Sequence, residues 1–367
     1  MKNEKQWKIS LFGAGVLILL LIVVIIMTAD FEKEDKVTVG FIMTGKTQEE
    51  GWNRLHYEGI LAACRQLEVE LLVKEEVKEN TGQCEQAIRE LAKEEADMII
   101  LSSYGYAEEV LEVVKEYPEI AFYSESFDHE AENMKSYFAR MYQARYLAGI
   151  VAGKQSETNV IGYVAAMANN EVNRGINAFT LGVKRENPEA KVVVAWSNSW
   201  DDAQKEKELA QLLIEEENVD VIAYHQNQPN VVEVAEQYKI ASIGYHEPVA
   251  DASENFLTAA VFHWDLTYKE VLLDHIRDKS TEVDTYWVGI EQDAIGLSAY
   301  SPKVSEEAIE EVEQAKQEMI AGFDVFSGEI YDRDGVKRCS EGETISDEQL
   351  LKNFDWYVEG VELYEEK

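Results

Sequence analysis

Residues Val37 to Val77 read VTVGFIMTGKTQEEGWNRLHYEGILAACRQLEVELLVKEEV, and this stretch decides the fold. A short β-branched run, Val37–Met43, gives way to a polar turn. An amphipathic run, Trp52–Leu67, follows, and a second β-branched run, Leu71–Val77, comes after it. Strand, helix, strand in about forty residues is a βαβ unit, and such units build parallel sheets.

The same alternation continues outward. Further strands are expected at Asp97–Ser103 and Ile120–Ser124, with helices at Gly82–Glu95, Tyr106–Tyr117 and Tyr137–Lys154. A second series places strands at Val160–Ala166, Lys191–Ser197, Val219–Tyr224, Ala241–Tyr245 and Leu257–Phe262, separated by helices at Val172–Glu186, Ala203–Glu216 and Pro229–Tyr238. Beyond a helix at Tyr268–Arg277, a strand at Tyr286–Ser298, a helix at Glu306–Ala321 and a short strand at Val325–Ile330 are too few for a domain. The fold class is therefore α/β, two doubly wound parallel-sheet lobes with hinge crossovers: 37–153 as lobe 1, 154–285 as lobe 2, and 286–367 returning mainly to lobe 1.

Ahead of these lobes, Ile9–Ala29 (ISLFGAGVLILLLIVVIIMTA) carries no charge. As a helix it would be roughly 31 Å long, enough to cross a bilayer once. It exceeds a signal-peptide core of about 7–15 residues, and Met27 and Ala29 make a poor cleavage pair. The first cysteine is Cys64, too far along for a lipid-modified start. Lys2, Lys5 and Lys8 before the run and Asp30, Glu32, Glu34 and Asp35 after it leave 1–8 in the cytoplasm, 9–29 as an anchor and 30–36 as a linker. The expected location is the cell membrane, with the lobes on the extracytoplasmic face.

With 71 acidic residues against 34 basic ones, the net charge of −37 repels nucleic acid and anionic membrane surfaces. Neither is an expected partner. The 46% apolar content excludes disorder as the reason for that charge. Cys64, Cys84 and Cys339 lack disulfide-framework or zinc spacing and are read as free, with a Cys64–Cys84 bridge as the alternative.

In open α/β sheets ligands bind beyond the carboxyl ends of the strands. Here those ends carry Thr44, Trp52, Tyr104, Tyr106, Asn198, Trp200, His225, Gln226, Tyr245, His246 and Trp264. Tryptophans from two lobes suit a flat π-rich ligand, whose stacking is worth on the order of 1–3 kcal/mol per ring. Each tryptophan can instead lid its own core, and Trp196, Trp287 and Trp356 are read that way. The histidines His225, His246 and His263 come without an HExxH or close carboxylate pattern, so hydrogen-bond recognition is expected and no metal. There is no GxSxG, no phosphate-cradling GxxxxGK[ST] and no GxGxxG after a strand. Asp332-Arg333-Asp334-Gly335 opens like a calcium loop but lacks the later ligands, which suits an ordinary turn. No enzyme and no cofactor are expected.

Gly51-Trp52-Asn53, Tyr137-Phe138-Ala139-Arg140 running into Ala144–Gly149, Ile161–Val164, Arg174–Phe179, Asn198-Ser199-Trp200, Ile243-Gly244-Tyr245 and the closing run Gly328–Gly335 with Val358–Val361 resemble the basic membrane protein family of ABC-transporter substrate-binding proteins. The likeness extends over nearly everything past Lys36. It implies a type I periplasmic-binding-protein fold that closes on a purine nucleobase or nucleoside and delivers it to ABC permease subunits. It also implies aromatics at Trp52 and Trp200 sandwiching the ring, with Asn53 as a polar partner. The family's acid after the Ile243-Gly244 strand is here Tyr245-His246, and its lysine after the last second-lobe strand is replaced around His263-Trp264. These changes remove ribose contacts and favour a free base. Arg140 and Arg174 are read mainly as helix-surface ion pairs. A tethered sensor signalling through a partner receptor, or a nucleoside hydrolase using Asp201, Asp202 or Glu247, are the other readings.

Overall fold

The computed structural model describes residues 36–49, 51–125, 127, 131–277 and 285–365. The expected anchor at 9–29 lies outside the described residues. Among the described residues no helix is long and apolar enough to cross a membrane.

The first layer assembles from β1 (Thr38–Ile42), α1 (Trp52–Leu67), β2 (Glu70–Lys74), α2 (Gln83–Lys93), β3 (Met98–Leu101), α3 (Tyr106–Val114), β4 (Ala121–Ser124) and β5 (Met134–Ala139). The second comprises α4 (Met141–Gln155), β6 (Val160–Ala165), α5 (Asn170–Glu186), β7 (Lys191–Trp196), α6 (Ala203–Glu217), β8 (Val221–His225), α7 (Asn230–Tyr238), β9 (Ala241–His246) and β10 (Phe256–Phe262). Then come α8 (Trp264–Ile276), β11 (Thr285–Val288), β12 (Ile295–Leu297), α9 (Glu306–Ile320), β13 (Ile330–Tyr331), β14 (Lys337–Cys339), α10 (Asp347–Lys352) and β15 (Val361–Leu363).

Sheet order is β11-β5-β4-β3-β1-β2 in the first lobe and β12-β10-β9-β8-β6-β7-β15 in the second. Every pairing in these two sheets is parallel except β10 with β12. Strands buried on both faces explain their continuous apolar runs, such as Met98–Leu101 and Val192–Val194. The three cysteines are free and buried.

Four expectations are corrected. Tyr137–Ala139 is the end of a strand, not the start of a helix: it pairs with β11, and the helix begins only at Met141. That helix, α4, packs on α5 and so belongs to the second lobe, while α8 packs back on α1 in the first. Glycine lets α4 and α5 touch backbone to backbone, since a Cβ on Gly149 would lie 2.1 Å from the Phe179 carbonyl oxygen. The third correction concerns 286–367, which returns mainly to the second lobe. Only β11 joins the first sheet; β12 and β15 take the two edges of the second, and α9 and α10 pack on α4 and α5. The chain thus crosses between lobes after β5, after β10 and after β11. The stretch read as one strand over Tyr286–Ser298 is the last crossing, two short strands in different sheets.

Asparagines fasten the returning chain. On α5, Asn170, Asn173 and Asn177 lie three and four positions apart and so share one helix face. Their amides donate to the carbonyls of Leu351, Phe354 and Trp356 at 2.8–3.0 Å, and Asn170 and Asn177 accept from the amides of Phe354 and Val358. An extended segment whose β-bridge, Val358 to Asp332, lies at its far end thereby satisfies much of its backbone.

Candidate functional site

The carboxyl ends of both sheets face a cleft of about 630 Å³, within the usual range of small-molecule sites. From the first lobe it is lined by Thr44, Trp52, Asn53, Lys78, Glu79, Ser103, Tyr104, Gly105, Glu125, Phe127 and Phe138; from the second by Asn169, Asn170, Glu171, Arg174, Trp200, Asn227, Tyr245, His246 and Leu351.

Trp52 begins α1 directly after Gly51, whose φ is +84°; a Cβ there would lie 2.8 Å from the Asn227 carbonyl oxygen of the opposite lobe. Only glycine combines that backbone angle with so close an approach. The indole donates from Nε1 to the Ser102 carbonyl at 3.2 Å and lies nearly parallel to Phe138, with ring centres 6.4 Å apart. His246, Phe262 and Trp264 meet it edge-on. Asn53 is occupied locally, accepting from the Gly45 amide at 3.0 Å and the Thr44 hydroxyl at 3.2 Å, which holds the loop after β1. Across the cleft mouth Arg54 and Glu247 pair at 2.6 Å, joining the two lobes.

Beneath Trp52 sits a buried polar cluster. Glu125, which is 4% exposed, has Oε1 3.2 Å from the Tyr137 hydroxyl and 3.4 Å from His56 Nδ1; His56 also meets the Tyr268 hydroxyl at 2.5 Å. Burial pushes the Glu125 carboxyl well above its usual range, with Glu171 and Glu79 adding to the rise and only the Tyr137 contact opposing it. Burial, then His246, holds His56 well below its ordinary value.

The cluster makes stability depend on pH. The folded chain keeps the Glu125 proton to higher pH than the unfolded chain. Its contribution is therefore complete below the usual carboxyl value of 4.5 and falls away as pH rises toward the folded value. Glu125→Gln, which does not titrate, should melt higher than wild type at about pH 8 and equally at about pH 4. Each kcal/mol relieved should give roughly 2–4 °C in thermal melts of the ligand-free protein. A pH-independent difference would assign the effect to packing.

In the second lobe, Arg145 is fully buried, donates to the Tyr224 carbonyl at 3.0 Å and stacks 4.0 Å from the Tyr245 ring centre. This cation–π contact fixes Tyr245 from behind. His246, at φ +70°, packs against Tyr245 with ring centres 3.8 Å apart and places Nε2 3.1 Å from the Gln226 carbonyl oxygen. Burial holds His246 well below its ordinary value, helped by His225 and Arg145.

Of the residues singled out in the sequence, Thr44, Trp52, Asn53, Tyr104, Trp200, Tyr245 and His246 line the cleft. The other five do not. Tyr106 is buried in the first lobe with its hydroxyl donating to the Val77 carbonyl at 2.5 Å. Asn198 is exposed at φ +55° and makes the turn that leads to Trp200. His225 and Gln226 lie beneath the surface, Gln226 donating to the Ser197 hydroxyl at 2.8 Å. Trp264 is 3% exposed and stacks on Phe262 at 4.5 Å; α8 presses so closely on α1 that a Cβ on Gly59 would lie 2.4 Å from its own.

Arg140 forms an ion pair with Asp347, whereas Arg174 is buried, donates to the Leu350 carbonyl at 2.6 Å and lines the cleft. Sequence reading missed Glu125, Glu171 and Leu351. Glu125 follows β4 at the usual ligand end, a readable signal; Leu351 arrives through the returning chain and carries none. Directional polar groups around aromatic faces make this a recognition surface. Among the described residues no group of His, Cys, Asp and Glu is arranged to hold a metal ion.

Residues 36–327 match the family described as ABC transporter substrate-binding protein, PnrA-like. TsgA13 of Haloferax volcanii, named as an ABC transporter glucose-binding protein, is 32% identical over 89% of this chain and 81% of its own. The purine-binding protein BAB2_0673 of Brucella abortus is 29% identical over 90% of this chain and 94% of its own. The crystal structure of a transcriptional activator of the comK gene from Bacillus halodurans shares 27% identity and a TM-score of 0.69, covering 78% of this chain and 98% of that one. Solved solute-binding proteins share the two-lobed α/β fold.

Proposed function

The chain belongs to the family of PnrA-like ABC transporter substrate-binding proteins, and from that premise we propose that it captures a purine nucleobase or nucleoside between its lobes and delivers it to membrane permease subunits. The observation that carries this reading is that Trp52 and Trp200, one from each lobe, line the same cleft. Two indoles offer faces to a flat ring, and Glu125, Glu171, Asn170 and His246 offer hydrogen bonds to its edge. A Brucella relative named for purine binding supports the ligand class. Binding is the whole of the event; no bond is made or broken.

A sugar is the second reading, favoured by the relative named for glucose binding. Sugars too use aromatic platforms and carboxylates. Residues 9–29 would tether the lobes to the membrane on the extracytoplasmic side.

The full chain in detergent should be screened by thermal shift and calorimetric titration with adenine, hypoxanthine, guanine, their nucleosides and glucose. Ligand at 100 times its dissociation constant adds about 2.7 kcal/mol of stability, an easily resolved shift. Stabilisation by a purine supports the proposal; stabilisation by glucose alone overturns it in favour of the sugar. Trp200→Ala should weaken purine binding tenfold or more with an unchanged fold, and unchanged affinity would remove Trp200 from the site.

A further inference from the structure

Asn169 caps α5 by accepting from the Val172 amide at 2.9 Å, which sets Glu171 in the first turn of a 17-residue helix at the cleft wall. Behind it His225 is 1% exposed, and neither ring nitrogen has a hydrogen-bond partner; Nε2 stands 3.6 Å from Glu171 Oε1, close but longer than a hydrogen bond. The Glu171 side chain is 30% exposed, lines the cleft and, among the described residues, accepts no hydrogen bond. A carboxylate has about four acceptor sites, and among the described residues no protein group fills those of Glu171. Burial pushes this carboxyl up, but His225, Arg174 and Arg145 together outweigh it and hold it below its usual range. The group is thus kept charged beside a ligand cleft with its accepting capacity unused.

We propose that Glu171 is the specificity-determining residue of the second lobe, its carboxylate accepting a hydrogen bond from an N–H donor on the edge of the bound heterocycle while His225 aims it from behind. This rests on the reading of the cleft as a purine site. A ligand bringing a ring N–H or an exocyclic amine completes the carboxylate; one bringing a phosphate meets its charge and is rejected. His225 is a positioning residue, since it touches Glu171 and not the cleft.

The test titrates the full chain and its Glu171→Gln and His225→Asn variants with adenine, hypoxanthine and adenine methylated at N9 or dimethylated on the exocyclic amine. Glu171→Gln should lose roughly tenfold or more in affinity for the free bases, as expected for a charge-assisted hydrogen bond, with an unchanged melting temperature. For the analogue whose methyl blocks the donor Glu171 reads, wild type and variant should agree within about threefold. His225→Asn should follow the same pattern with a smaller loss, which a purely structural role would not produce. Wild type binding adenine or hypoxanthine while Glu171→Gln binds it equally well overturns this inference alone. Wild type binding neither base overturns the purine reading and this inference with it.

Discussion

Replacing Trp52 by alanine should lower ligand affinity about 5- to 150-fold in calorimetric titration. Base–aromatic stacking is worth roughly 1–3 kcal/mol by alanine substitution, and each 1.4 kcal/mol is a factor of ten. The loss extends beyond one face. Trp52 is held by its bond to the Ser102 carbonyl and wedged among Phe138, His246, Phe262 and Trp264. Removing it frees side chains of both lobes that line or support the cleft. Because the ring is half-buried, stability should also fall, by less than the about 3–5 kcal/mol of a fully buried tryptophan. Trp52→Phe should recover a large part of the affinity. If Trp52→Ala bound within twofold of wild type, the ligand would not lie on this indole.

Phe354→Ala should destabilise the protein by about 3–5 kcal/mol, read as a fall in denaturation midpoint with little change in slope. Phe354 is fully buried, with ring centres 4.9 Å from Phe326 and 4.7 Å from Trp356. Its backbone is the middle of the segment fastened to Asn170 and Asn173. The same segment supplies Leu351 to the cleft and the Leu350 carbonyl that receives Arg174. Affinity should therefore drop with stability, an effect the site's own residues would not predict. A stable variant with weakened binding would show that the returning chain orders the cleft; lost stability with intact affinity would confine it to scaffolding.

Much of the fold was legible because each strand and helix has its own period. Val37–Met43 reads as a strand and Trp52–Leu67 as a helix from local pattern alone, and both lie where expected within a residue or two. Tyr137–Ala139 failed because an apolar run leading into a helix has no period of its own; its pairing with β11, some 150 residues later, makes it a strand. The candidate site divided in the same way. Residues placed by strand ends, such as Thr44, Tyr245 and His246, line the cleft. Trp264 does not, because the approach of α8 to α1 at Gly59 buries it, and nothing in its neighbours signals that contact.

The sequence by itself determined the alternation of strand and helix, the parallel sheets and the two-lobed plan, since these follow from side-chain periodicity and short-range sterics. The tertiary structure alone decided which lobe the last eighty residues join, which aromatics face the cleft and which face the core, and that Glu125 and Glu171 stand in contrasting surroundings. Those outcomes depend on burial and on charges brought together from distant segments, and both are sums over neighbours that the order of residues along the chain does not contain.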